Sequence, residues 1–450
     1  MDTVKFHLRG EIPAGQGAGS MNASAAKGAI GRTRVLFSDL LNLPRGKYVP
    51  VDVAAGGKIG FARGAFATTF DRDLLAVPGT GVHEGLPDMQ LHLDATRRDS
   101  WQDGTEIALG ALYADGAPFA LCPRHTLKHA IAGWQDMGLT PMVGLELEAF
   151  VFQRDADGVF RPYDTPGAFV YGTGPQNDPA GLTDAIWARA AAVGLPLESV
   201  NGEYDNGQFE MTLRFDDALK ACDDAFLFRL MARELAFEKG YILTFMPKPI
   251  PERGGSGLHV NFSFVDAKGR NVIAPDGTLS DLAGQAVAGL VHHHEAMAGL
   301  LAPTVNSYDR LGPASMAGYW ANWAEDHRLV TTRTSTESAT SARLEHRMAD
   351  SSANPYLAVA TVLQAAMLGV KAGLPLPKAE DLDGLENIRA TRHAPASLTR
   401  ALDALEKNRL LTDAIGSLLI EAHLVMKRDE VKRLAGRSKE DIRDYYIPFI

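Results

Sequence analysis

Glu345 stands between Arg343 and Arg347 in the segment ARLEHRM. An extended backbone turns these three side chains to one face and Leu344, His346 and Met348 to the other. A carboxylate between two guanidiniums is costly to bury unless it serves a charged ligand, and Arg suits planar recognition of phosphate or carboxylate. The same pattern also fits an exposed strand face bearing a salt-bridge ladder, so this segment alone leaves both readings open. Three further segments repeat the theme. Glu146 and Glu148 alternate with Leu145, Leu147 and Ala149. Glu203 precedes a turn, after which Gln208, Glu210, Thr212 and Arg214 alternate with Phe209, Met211 and Leu213. His259, Asn261 and Ser263 share one face of LHVNFSF.

Like charges on one face of an otherwise apolar strand repel, and a cation between them is the usual remedy. Glu146, Glu148, Glu203, Glu210 and Glu345 with His259 suit a hard divalent ion, Mg²⁺ or Mn²⁺, better than zinc. Two ions with three ligands each would account for all six. Arg310, Arg328, Arg333, Arg343 and Arg347 add the positive charge expected beside a nucleotide phosphate and a substrate carboxylate. Any one of these pairs taken singly is equally an ordinary ion pair.

The elements that must position these groups follow from periodicity. Ser341–Val370 reads as a strand running into a buried helix, with Asn354 as its cap and Pro355 at its first position. Helices are expected over Arg124–Gly138, Ala180–Gly194 and Leu279–Leu301, with a long amphipathic one over Asp216–Lys239. Gly254, Gly255 and Gly257 let the loop before LHVNFSF bring backbone close to a ligand. His292, His293 and His294 diverge by roughly 100° per residue on a helix and cannot converge on one ion, so a surface or interface role is expected. A flexible segment over 1–28, a small β-rich domain over 29–115 and a large domain over 116–450 are the simplest division.

Composition narrows the class. At 450 residues and 46% hydrophobic the chain can bury a large core. Its net charge of -10, without long single-sign runs, disfavours nucleic acid and acidic membrane surfaces. Two cysteines, Cys122 and Cys222, are too few for a disulfide framework or a thiolate metal site. No signal core and no segment apolar enough to span a bilayer is evident, so a cytoplasmic protein without membrane or nucleic-acid partners is expected.

The segments GLELEAF, GEYDNGQFE, FMPKPIPERGGSGLHVNFS, NSYDRL and RLEHRMADSSANPYL occur in the order and at about the spacing of the glutamine synthetase family, which the chain resembles from about Phe37 to its end. The resemblance implies an α+β fold, with a small β-grasp amino-terminal domain and a large catalytic domain built on a curved antiparallel sheet flanked by helices. It implies a homo-oligomer of stacked rings, a dodecamer by default. ATP and two or three Mg²⁺ or Mn²⁺ ions per site are the cofactors it implies. Carried over by residue, Glu148, Glu203 and Glu210 would hold one metal and Glu146, His259 and Glu345 the other. Arg310, Arg347 and the Gly255 backbone would hold glutamate. Arg328, Arg333 and Arg343, with Asn261 and Ser263, would face ATP, and Arg333, Arg347 and Glu345 would act on the transferred phosphoryl group.

Departures from the family pattern concern the amine. Its ammonia-using members place acids in two stretches that here read IGFARGAFATT and RLGPASMAGYW. Neither contains one; Ala62 and Met316 stand about where the two carboxylates would be. Asp71, Asp73, Glu84 and Asp309 are the acids that could compensate. Asn261 replaces the second His of an HxH pattern, and Gly254 stands where Asn usually precedes GSG. The expected activity is ATP-dependent ligation of glutamate to an organic amine such as an alkylamine, amino alcohol or polyamine, through a γ-glutamyl phosphate. Glutamine synthesis from ammonia, ligation onto another carboxylic acid, and a non-catalytic role are the alternatives.

Overall fold

The computed structural model describes residues 31–101, 104–381 and 388–450. The expected flexible segment over 1–28 lies outside them. Among the described residues the strands fall into two sheets. The first contains β1 (Arg32–Ser38), β2 (Pro44–Pro50), β3 (Lys58–Ala62), β4 (Asp88–Ser100), β5 (Glu106–Ala114) and β6 (Ala117–Pro118), in the order β2-β1-β5-β4-β3 with β6 paired to β5. Its β1–β5 pair is parallel, so the chain must cross over between these two neighbours. The β1–β2 turn is fixed locally, because Asp39 Oδ1 accepts the backbone N–H of Leu41 and of Leu43, each at 2.9 Å. Since β6 ends at Pro118, a domain boundary after Asp115 would cut it from its partner. A short helix, α1 (Val51–Ala55), follows β2.

The second sheet carries the chemistry-bearing segments. It contains β7 (Thr140–Arg154), β8 (Phe160–Pro162), β9 (Leu197–Gly202), β10 (Gln208–Leu213), β11 (Asp216–Asp217), β12 (Ile242–Thr244), β13 (Leu258–Val265), β14 (Trp323–Glu325), β15 (Thr332–Ser335) and β16 (Arg343–His346). Its main path is β14-β15-β16-β13-β7-β10-β9, antiparallel apart from the β14–β15 pair. The alternation of each strand divides it cleanly: Leu145, Leu147, Phe209, Met211, Val260, Phe262 and Leu344 are buried on the helix side.

That side is covered by α2 (Pro123–Gln135), α4 (Ala218–Glu238) and α8 (Pro355–Ala372), with α3 (Leu182–Ala192) against α4 and α5 (Asp281–His292) against α8. The indole of Trp134 on α2 stacks on Phe264 at 3.9 Å and donates to Leu363 O at 3.2 Å, joining sheet, α2 and α8. Asn354 caps α8 as expected, its Oδ1 accepting from Tyr356 N at 3.0 Å and Leu357 N at 3.3 Å. Its amide also donates to Ser38 Oγ at 2.8 Å and Asp39 O at 2.9 Å, tying the first sheet to α8. The carboxy-terminal part is helical: α9 (Leu398–Lys407), α10 (Arg409–Ile415), α11 (Ser417–Leu434) and α12 (Lys439–Tyr446).

Several expectations need correction. Helix α8 is long and apolar enough to cross a membrane by length and composition, contrary to the reading that no segment is, but 78% of it is buried in the core. Helix α4 is not amphipathic, because it is enclosed by sheet and helices on nearly every side. The expected Leu279–Leu301 helix breaks at His293 into α5 and α6 (His294–Leu301). Of the three histidines, His293 and His294 are buried rather than on the surface: His293 meets the Asn408 amide at 2.8 Å, and His294 Nε2 donates to Tyr319 O at 3.0 Å.

Candidate active site

Strand register gathers the polar faces into one cluster. Glu146 on β7 lies opposite His259 on β13 and Thr212 on β10, while Glu148 lies opposite Glu210. One strand further out, Asn261 on β13 faces Glu345 on β16, which faces Arg333 on β15. Four segments separated by up to two hundred residues thus present their charged side chains to the same space. Glu203 enters from the turn after β9, its backbone N–H donating to Gln208 O at 2.9 Å.

Within this cluster His259 Nδ1 meets Glu146 Oε2 at 2.9 Å, and Asn261 Nδ2 donates to Glu146 Oε1 at 2.9 Å. Burial works against ionisation of Glu146, but the bond and charge of His259, the Asn261 amide and Arg347 outweigh it and hold the carboxyl at about 2. His259 is pushed down by burial and by Arg347, yet Glu146 and Glu148 lift it above its usual range on balance. Burial and the charges of Glu146, Glu148 and Glu203 push Glu210 up to about 8, and burial with Glu148 raises Glu203. Carboxylates so crowded call for positive charge.

Among the described residues two groups of three bring ligand atoms within 4.8 Å of one another: Glu148, Glu203 and Glu210, and Glu146, Glu210 and His259. An oxygen-rich set with one imidazole fits a hard divalent cation. The first group is the one the resemblance implies. The second differs, since Glu210 is shared and Glu345 is engaged elsewhere. Glu345, 4% exposed, is held by the Arg347 guanidinium on one oxygen and by Arg333 Nη1 at 3.1 Å on the other, with His259 Nδ1 at 3.7 Å. Of the ladder read from ARLEHRM only the Glu345–Arg347 half forms, and it is buried; Arg343 turns to Asn261 and Ser341, and Arg333 on β15 is the second partner of Glu345.

Arg310, on the short helix α7 (Ser307–Arg310), is buried, donating to Met348 O at 2.9 Å and Arg347 O at 3.2 Å. The glycine loop packs against it. A Cβ on Gly255 would lie 2.6 Å from Arg310 Cγ, and one on Gly257 would lie 2.7 Å from Arg310 Nη2 and 3.2 Å from Glu148 Oε1. Only glycine permits this approach. Beside the cluster is a cavity of 370 Å³ whose lining includes Glu146, Asn261, Ser263, Phe215 and Arg343, and Arg343 Nε donates to Asn261 Oδ1 at 3.2 Å. A larger cavity of 770 Å³ lies elsewhere, between β1 and α4, and contains none of these residues.

Some expected members stand apart. Arg328 is exposed and acts on Asp326 by charge rather than on the cluster. Ala62 is exposed on β3 of the first sheet, opposite Asp88. Met316, 49% exposed, lies on the loop after Arg310 with φ 53°. Gln208, Ser351 and Asp326 belong to the site but were not singled out. Gln208 Nε2 bridges Gly255 O at 3.0 Å and Glu148 Oε2 at 3.4 Å. Ser351 Oγ accepts from Glu148 N at 3.2 Å and donates to Gly257 O. Gln208 shares the polar face of Glu210, which was a signal; the turn carrying Ser351 gave none.

The family described as "Glutamine synthetase, catalytic domain" matches residues 120–446, most of the chain. The chain belongs to the glutamine synthetase family. As a member it is an ATP-dependent ligase that forms carbon–nitrogen bonds. The glutamine synthetase of Halobacterium salinarum is 33% identical over 344 residues, covering 74% of this chain and 75% of that protein. The gamma-glutamylethanolamide synthetase GlnA4 of Streptomyces coelicolor is 31% identical over 436 residues, covering 92% of each. A solved structure described as a novel glutamine synthase homolog superposes with a TM-score of 0.81 at 25% identity, covering 96% of this chain and 100% of that one. The α+β architecture read from the sequence is thus the glutamine synthetase fold.

Proposed function

We propose that this glutamine synthetase family member joins glutamate to an organic amine, giving a γ-glutamyl amide. What carries this reading is the lack of an acid in the two stretches that the family resemblance assigns to the amine. The two stretches that would supply acids for ammonium hold Ala62 and Met316 instead, and three of the four acids that could compensate are already engaged. Asp73 pairs with Arg433 at 2.5 Å, Asp71 accepts from Tyr445 Oη at 2.9 Å, and Asp309 is paired with Lys439. With those three engaged and only Glu84 left over, an amine subsite poor in free carboxylate favours an amine that carries carbon over NH₄⁺. The similarity, over 92% of each chain, to a relative named for ethanolamide formation supports the same direction.

In this reading Glu148, Glu203, Glu210, Glu146 and His259 would hold divalent ions, Mg²⁺ or Mn²⁺, with Glu345 joining them once released from Arg333 or Arg347, and the ions would supply charge neutralisation at the γ-phosphate of ATP. Arg310, Arg347 and the Gly255 backbone orient glutamate so that its side-chain carboxylate oxygen attacks the γ-phosphorus as the bond to ADP breaks. Arg333, Arg343 and Arg347 face the phosphates, with Asn261 and Ser263 lining the nucleotide side. The amine nitrogen then attacks the acyl carbon, phosphate leaves, and the nitrogen loses a proton. A domain boundary between Pro118 and Pro123 and assembly into stacked rings complete the proposal.

The test is phosphate release from ATP with Mg²⁺ and glutamate across ammonium, methylamine, ethylamine, isopropylamine, ethanolamine, putrescine and spermidine, with mass spectrometry of the products. A γ-glutamyl product from one organic amine, with little from ammonium, is the expected result. Ammonium as best substrate would replace the reading with glutamine synthesis.

A further inference from the structure

The tip of the β9–β10 hairpin and the glycine loop are locked together. Arg253 Nη1 donates to Asn206 O at 2.7 Å, Gln208 Nε2 donates to Gly255 O at 3.0 Å, and the Gly254 N–H donates to Asp205 Oδ2. A Cβ on Gly254 would lie 2.9 Å from that same oxygen and 3.6 Å from Gln208 Oε1. The Asp205 carboxylate thus occupies the volume of a side chain at 254, and the two exclude each other. Asp205 is half-buried, two residues beyond Glu203, and its Oδ1 has no partner among the described residues. Lys248 lies within its field, but the Lys248 ammonium donates to Arg253 O rather than to Asp205.

An α-amino acid presents a cation and an anion on one carbon, so a site that offers only arginine accepts a plain dicarboxylate as readily. Arg310 packs on one end of the glycine loop and Asp205 bonds the other. We propose that Asp205 is a specificity-determining residue of the acid subsite, its free Oδ1 accepting the α-ammonium group of glutamate. The inference rests on glutamate being the acid in the reaction proposed above. Charge-assisted bonds of this kind are worth roughly tenfold or more in affinity.

Asp205→Asn keeps an acceptor for the Gly254 N–H and removes the charge; Asp205→Ala removes both. Calorimetric titration of the full chain, with Mg²⁺ and ADP present, compares L-glutamate with glutarate, which lacks the ammonium. Both variants are expected to lose roughly tenfold in glutamate affinity and little in glutarate affinity, with melting temperature close to wild type. A wild type that does not prefer glutamate overturns the inference. So does an Asp205→Asn variant that binds glutamate normally while Asp205→Ala does not, because that pattern is loop anchoring alone. A rise in KM for the amine with glutamate affinity unchanged overturns it too, assigning Asp205 to the amine. A chain that binds glutamate yet forms no amide with any amine refutes the ligase reading, while the glutamate–glutarate difference still decides the role of Asp205.

Discussion

Glu345 concentrates the charge balance of the site in one carboxylate. It joins Arg333 and Arg347, and it sits beside His259, so its removal leaves two guanidiniums facing each other without a counter-charge. Glu345→Ala is expected to lower ATP turnover at least a hundredfold while the size-exclusion profile stays that of wild type; near-normal turnover would remove its assignment. The glycine loop makes a second residue-scale prediction. Gly257→Ala puts a methyl group against Arg310 and Glu148, and glutamate-dependent phosphate release should fall roughly tenfold or more with nucleotide affinity retained. The five acids and one imidazole were legible because strand alternation puts all but Glu203, which sits in a turn, on polar faces. Which oxygen meets which cation was not, because Glu210 serves two groups and Glu345 finds Arg333 only through the pairing of β15 with β16.

At the scale of elements, α8 was readable from its cap and its apolar run, and the strands from their period of two. Helix α4 is not amphipathic as its pattern suggests because polar residues on it, Asp223 and Asp224 among them, are buried in ion pairs that periodicity does not reveal: Asp223 accepts from Arg124 Nε at 3.0 Å and Nη2 at 2.8 Å. The break between α5 and α6 depends on Tyr319 and Asn408, distant residues that satisfy the two buried histidines. Asn354→Ala should destabilise the fold by about 1–2 kcal/mol in urea titration, since it removes a cap as well as the bonds to Ser38 and Asp39. The loop after α7 offers the complementary gain. Met316→Glu should raise ammonium-dependent phosphate release relative to that with organic amines; an unchanged ratio would detach this loop from the amine subsite.

For the whole molecule, buried neutral histidines set the acid limit. Burial, with the charge of Lys427, lowers His423 to about 4, and burial lowers His294 to about 4. Both stay neutral when folded but take up a proton near 6.5 when unfolded, so their contribution is intact above pH 6.5 and is lost as pH falls towards 4. Each costs up to about 3 kcal/mol across that window. His423→Gln should therefore narrow the drop in melting temperature between pH 7.5 and pH 5; an equal drop would exclude His423 as a source.

The bond from Asn354 to Ser38 spans 316 positions. The first sheet leaves the ribosome long before the residue that fastens it, and α8, the most apolar helix, arrives after the sheet it must cover. Until it docks, the helix side of that sheet and α8 itself remain open to other chains, so the yield of native protein depends on how quickly this late helix finds its place.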